Sequence, residues 1–178
     1  MIIHLKSNAV GLDRRINRII GRLNTSLNVE NNWGIEIYGK VYRNTREVDG
    51  KKSIVPEVFT TKYVPVFVND TQDMIAFIPE KIPEIKNGTV FHNVDIAFSV
   101  QLDNLSDSAQ REDEKAFMTA KKAVEQAGLS ITNIKKELPD VYSDFDWSRY
   151  EYRNMQPWMN FSFTVILKYK NINCNELL

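Results

Sequence analysis

The sequence predicts an α+β domain in which a mostly antiparallel, hairpin-rich β-sheet carries two amphipathic helices packed on it. Three observations predict this class. Apolar residues recur at spacings of three and four in two segments, near residues 12–27 and 108–127. Apolar and polar residues alternate along residues 33–43, 89–103 and 158–170. Turn-forming residues, among them Asp49-Gly50 and Asn69-Asp70-Thr71-Gln72, separate strand-like runs. With 178 residues, 43% of them hydrophobic and 26% charged, the chain has enough apolar material for one core and too little length for two full ones. Residues 1–178 are therefore expected to form a single domain.

The first helix is read from Leu12, Ile16, Ile19, Ile20, Leu23 and Leu27, with Ser7 or Asn8 as its cap. Arg14, Arg15, Arg18 and Arg22 fall together on the face away from that stripe. A half-buried strand follows, with Trp33, Ile35, Ile37 and Val41 on one side and Glu36, Tyr38, Lys40 and Tyr42 on the other. The polar stretch 44–53, centred on Asp49-Gly50, predicts a hairpin tip. Its charged Arg43, Arg46, Glu47, Lys51 and Lys52 predict an arm around 43–58 that reaches beyond the core.

Residues 59–68 and 73–78 read as two strands joined into a second hairpin by Asn69–Gln72. Pro65 cannot donate a ladder hydrogen bond, which puts its strand at an edge or a bulge. Pro79, Pro83 and Asn87-Gly88 mark a loop. Val90, Val94, Ile96, Phe98, Val100 and Leu102 then predict the central strand. The second helix runs from about Ser108 to Ala127, capped by Asp107 or Ser108 and stopped by Gly128. Its stripe of Ala116, Phe117, Ala120, Ala123, Val124 and Ala127 is small enough to lie close on a sheet. A short strand at 129–135 and a long aromatic and acidic loop at 139–157 precede the last strand, 158–170. That strand puts Met159, Phe161, Phe163, Val165, Leu167 and Tyr169 on a core side and Asn160, Ser162, Thr164 and Lys168 on a wetter one.

The residues argue against most enzyme chemistry. His4 and His92 lie in no metal-binding spacing. Cys174 is the sole cysteine and sits in a polar tail, so no disulfide, thiolate cluster or shielded nucleophile is expected. Seven glycines spread over the chain offer no phosphate cradle. Asp140, Asp144 and Asp146 are the one enzyme-like cluster, a set of carboxylates that could hold a divalent cation. The interleaved Val141, Tyr142, Phe145 and Trp147 favour an aromatic contact loop instead. Neither a catalytic residue nor a cofactor is expected.

Twenty-three Lys and Arg balance twenty-three Asp and Glu, so no net field draws the molecule to nucleic acid or an anionic membrane. No segment approaches the roughly 20 apolar residues of a membrane span, and no leader-like run opens the chain, so an intracellular setting is expected. The four arginines of the first helix are either a solvated face or a patch for phosphates or an acidic partner. A nucleic-acid-binding regulator using them, and a metal-binding enzyme using the three aspartates, stand as alternatives to an assembly role.

The order of elements resembles the tail-terminator, tail-completion and neck proteins of tailed bacteriophages. The residues that carry the resemblance are the strand Val94-Asp-Ile-Ala-Phe-Ser-Val-Gln-Leu-Asp103, the helix start Arg111-Glu-Asp-Glu-Lys-Ala-Phe117, and Tyr152-Arg-Asn-Met-Gln-Pro-Trp158 before the last strand. It covers about residues 10–170. It implies a non-enzymatic structural virion protein, made in the host cytoplasm, that forms a six-fold or twelve-fold ring of its own copies. Portal, neck or tail proteins would be its neighbours, and DNA would pass nearby. Tyr142, Phe145, Trp147, Tyr150, Tyr152 and Trp158, with Arg46 and Lys51 on the arm, are the expected interface residues. The other reading of those aromatics is a cap on the end of the core.

Overall fold

A computed structural model describes residues 2–48, 50–66, 72–105 and 113–170. Helix α1 (Gly11–Leu23) runs on into a wider π-helical turn, Asn24–Glu30, and Leu12, Ile16, Ile19, Ile20, Leu23 and Leu27 are all buried. Ser7 and Asn8 do not cap it. Left-handed φ values at Asn8 (+51°) and Gly11 (+52°) break the helical path there, and the residue before the helix is Val10. Asn17 instead reaches back from inside the helix, accepting from the Lys6 N–H and donating to the Lys6 carbonyl. At the other end buried Asn28 both accepts from and donates to the Ile35 backbone, fastening the π-helical turn to the first strand.

The strands are β1 (Glu36–Val48), β2 (Lys51–Phe59), β3 (Tyr63–Pro65), β4 (Met74–Pro79), β5 (Glu84–Lys86), β6 (Thr89–Gln101), β7 (Ile131–Lys136) and β8 (Trp158–Lys170). They form one eight-stranded sheet in the order β3-β2-β1-β4-β6-β8-β7, with β5 also paired to β6. The sheet is mixed: every pairing is antiparallel except β1 with β4. The expected second hairpin at Asn69–Gln72 does not exist, because β3 and β4 lie three places apart. Residues 69–71 themselves are outside the described residues. All six residues of β4 are buried, so this strand needs cover on both faces and a partner on both edges. It lies between β1 and β6, where both are supplied.

Residues 44–48 extend β1, not a loop, and pairing with β2 continues to Val48↔Lys51. The ladder therefore leaves only two positions between the strands, of which Gly50 has φ +75° and Asp49 lies outside the described residues. Pro65 ends the edge strand β3 as anticipated. A second proline, Pro56, lies inside β2. Its carbonyl faces β3 and accepts from Val66, so its missing N–H falls on that side and removes no bond to β1. Another unanticipated strand is β5, which turns into β6 through Asn87 (φ +48°) and Gly88 (φ +73°).

Two further helices, α2 (Leu102–Leu105) and α3 (Asp113–Gln126), follow β6, and Gly128 beyond α3 has φ +79°. Asp107 and Ser108, the expected caps, and Arg111 and Glu112 lie outside the described residues, as does the tail with Cys174. On the α1/α3 side of the sheet the core gathers Ile19, Leu23, Phe98, Val124, Phe163 and Val165, with Phe117 half-buried against it. Phe98 stacks on Phe161 with ring centroids 4.9 Å apart, and Phe117 meets Phe161 and Phe163 at 5.3 Å.

A second core fills the opposite face. It contains Tyr38, Val41, Val58, Met74, Ala76, Ile78, Leu138, Val141, Tyr142 and Phe145. Val41 was expected beside Trp33, Ile35 and Ile37, which belong to the helix side. A bulge between Ile37 and Lys40 shifts the alternation, so that Val41 joins Tyr38 on the other face. Gly39 sits in that bulge, where a Cβ would stand 3.4 Å from the His4 carbonyl oxygen. That carbonyl belongs to the segment that runs parallel to β1 at the Ile3↔Ile37 bridge. The segment expected as a contact loop covers this second core. It consists of α4 (Leu138–Val141), a turn, and a 3-10 helix, Ser148–Asn154. The wet side of β8 is consequently dry at its first half, with Asn160 and Ser162 buried.

Candidate functional site

The six aromatics expected at an interface are placed first by this second layer. Tyr142 and Phe145 are buried core, while Trp147 and Tyr150 are half-buried against it. Tyr152 and Trp158, also half-buried, flank Arg153, whose guanidinium carbon lies 4.1 Å from the Trp158 ring centroid. None of the six is an exposed anchor. They cap the core, because the irregular segment that carries them must bury its own apolar side chains against the sheet.

Arg153 is the buried feature that sequence reading missed. It is 0% exposed, donating to Ser99 Oγ at 3.0 Å and to the Gln72 carbonyl at 3.3 Å. Its neighbourhood is polar but closed. Asp73, 3% exposed, accepts from the Gln101 N–H at 2.6 Å and from Asn104 at 3.3 Å. Burial pushes the Asp73 carboxyl up to about 6, against the pull of those bonds and of the Arg153 charge. Burial likewise raises the Tyr142 phenol, opposed by Arg153. Tyr38 is raised by burial and by adjacent Glu36, whose carboxylate accepts from His4 Nε2 at 2.6 Å. His4 stacks flat on Tyr38, centroids 4.4 Å apart. The only sequence signal was a lone arginine in an aromatic run, Tyr152-Arg153 with Trp158 nearby.

A cleft of about 340 Å³ opens between this layer and residues 78–82 at and after the end of β4, with Arg43, Asp95 and Lys135 also lining it. Asp144 accepts from Arg43 at 2.8–2.9 Å and from Lys81 at 3.3 Å. Burial would raise the Asp144 carboxyl, but the Arg43 and Lys81 hydrogen bonds outweigh it and hold the group below its ordinary range. Asp95 accepts from Lys135 at 2.7 Å and from Thr164 at 2.6 Å. Asp140, Asp144 and Asp146 do not converge. Asp140 is exposed on α4, Asp144 is held as described, and Asp146 accepts from its neighbour Ser148. Among the described residues no group of three His, Cys, Asp or Glu side chains is placed to share a metal ion. His92 is buried, contacting the Glu80 carbonyl at 2.8 Å and the Tyr169 hydroxyl at 3.3 Å.

Two surfaces remain open. Arg14, Arg15, Arg18 and Arg22 are all exposed on α1. Arg22 donates to the Ala127 carbonyl past the end of α3, at 2.6 Å. The distal half of the β1–β2 hairpin is the other surface, with Glu47, Lys51, Lys52 and Ile54 exposed. Its Arg46 is tied down by a forked pair to buried Glu57 at 3.0 and 3.1 Å, joined by Asn44. No helix among the described residues is long and apolar enough to cross a membrane. No protein-family model matches the chain, and no curated protein or solved structure is found similar to it.

Proposed function

We propose that the chain is a non-enzymatic structural subunit that works by being built into a larger particle through the distal half of the β1–β2 hairpin. The ring at the tail end or neck of a tailed bacteriophage is the assembly its order of elements resembles. One observation carries the reading. The hairpin buries Val55, Pro56, Glu57 and Val58 in its proximal half and keeps its strands paired out to an exposed tip. A segment held straight by a full ladder, with Glu47, Lys51 and Lys52 exposed towards its tip, is pre-organised for a partner and loses little entropy on docking. The Arg46–Glu57–Asn44 set stiffens the arm from within.

The test is to replace residues 47–52 by a tight two-residue turn and to follow two quantities. Thermal stability is expected to change by no more than about 0.5 kcal/mol, since Glu47, Gly50, Lys51 and Lys52 are all exposed. Incorporation into purified particles, read by electron microscopy and by the protein content of the particles, is expected to be lost. Absence of the unaltered chain from such particles sinks the reading.

A further inference from the structure

We infer that the arginine face of α1 docks onto the exposed carboxylates of the 137–151 segment of a second copy, head to tail. This rests on the assembly reading and names a contact within it. Twenty-three basic and twenty-three acidic residues balance over the whole chain, yet α1 carries a local cationic face. Arg14, Arg15 and Arg18 are exposed and make no ion pair with another described residue. They and Arg22 lie within an arc of about 100° on α1. The acidic residue within α1, Asp13, is turned inward and held by Lys6.

Glu137, Asp140 and Glu151 present the complementary set. All three are exposed and without an ion pair to a described residue. Of the neighbouring cations whose side chains are described, Lys135 is committed to Asp95, Lys136 lies over the Phe117 ring at 5.1 Å, and Arg153 turns to the interior. Because α1 packs on one face of the sheet and α4 belongs to the core of the other, one copy cannot neutralise its own two sets. A neighbour can, and a contact that joins unlike surfaces repeats into a ring or a filament. A chain with no net charge has little long-range pull on a nucleic acid, which favours a second copy as the occupant.

The experiment uses the full chain and three species: wild type, Arg14→Glu with Arg18→Glu, and Glu137→Lys with Asp140→Lys. Sedimentation velocity is run at about 0.01 M and about 1 M salt, where the Debye length is about 30 Å and about 3 Å. Wild type is expected to associate at low salt and to return to its 20.7 kDa monomer at high salt. Each variant alone, with like charges facing, is expected to associate at least about tenfold more weakly. An equimolar mixture of the two variants restores both charge pairings and is expected to recover association. Circular dichroism melts confirm that both variants fold. Wild type that stays monomeric at low salt overturns the contact, as does a mixture that fails to recover. Loss of retention on duplex DNA with association unchanged assigns the face to phosphates and also overturns it. The two readings separate cleanly. A wild-type chain that enters particles despite failing this test keeps the assembly role and loses the α1 contact, whereas association without entry into particles does the reverse.

Discussion

On the helix side of the sheet, Phe98, Phe161 and Phe163 lie in a cluster of aliphatic and aromatic side chains brought by regular elements. On the other side, Tyr142 and Phe145 share their layer with buried Arg153, Asp73 and Ser99. The difference follows from what covers each face. Helices α1 and α3 satisfy their own backbones, so they can offer a purely apolar stripe. The 137–157 segment is irregular, and its amides and carbonyls need partners. Leu138 N–H finds Asn154 Oδ1, Glu137 N–H finds the Asn160 carbonyl, the Arg153 carbonyl accepts from the Asn160 amide, and Asp146 N–H finds the Ile54 carbonyl. A face covered by irregular chain must import polar groups, and those groups bring charge inside.

The sharpest way to test the contrast is to remove mass from the apolar side. Phe163→Ala is expected to cost about 3–5 kcal/mol in urea unfolding. A loss under about 1 kcal/mol would mean that this face relaxes as easily as a surface.

The charged side is expected to respond to pH instead. The folded Asp73 pKa of about 6 stands above its ordinary 3.8, so the folded state holds this proton more tightly. Its stabilising contribution is complete below about pH 4 and is lost as pH rises through about 6, on the order of 2–3 kcal/mol in all. Asp73→Asn, which keeps an acceptor for Gln101, is expected to flatten that part of the stability profile and to be the more stable protein at pH 7.5. An unchanged slope would place Asp73 in better contact with solvent than its 3% exposure implies.

Arg153→Met keeps much of the side-chain volume but withdraws the donors to Ser99 and Gln72, and is expected to cost about 1–3 kcal/mol. Indole fluorescence should shift as Trp158 loses its cation. The smallest expected effect lies on the arm, where Ile54→Ser at a 43% exposed position should move stability by less than about 0.5 kcal/mol. A larger loss there would extend the second core into the distal hairpin.

The same contrast explains how much was legible. Phe161, Phe163, Val165 and Leu167 alternate without interruption, and Ile16, Ile19, Ile20 and Leu23 keep helical spacing, so the first core could be read from periodicity. The bounds of β8 coincide with the expected ones for that reason. What periodicity cannot carry was misread. One bulged residue at Gly39 reversed the side assigned to Val41. The run Met-Ile-Ala-Phe-Ile in β4 reads as a strand, but nothing in it tells that one of its partners would be a parallel β1 far back in the chain. Tyr142 and Phe145 sit in no repeat, so nothing local distinguished a core cap from an exposed anchor. Of the candidate surface residues, the α1 arginines followed from the wheel, since the face opposite a buried stripe is the exposed one.

The thirteen-residue ladder between β6 and β8 bears on how the chain is made. During synthesis β6 leaves the ribosome long before its partner exists, and β7 has no described partner other than β8. A nascent chain that has not yet reached Trp158 therefore exposes one whole edge of β6 and lacks Phe161, Phe163 and Val165 from its larger core. Such an intermediate is a template for unwanted strand pairing. Productive folding is postponed until β8 has emerged, when one strand closes the sheet and the core in the same step.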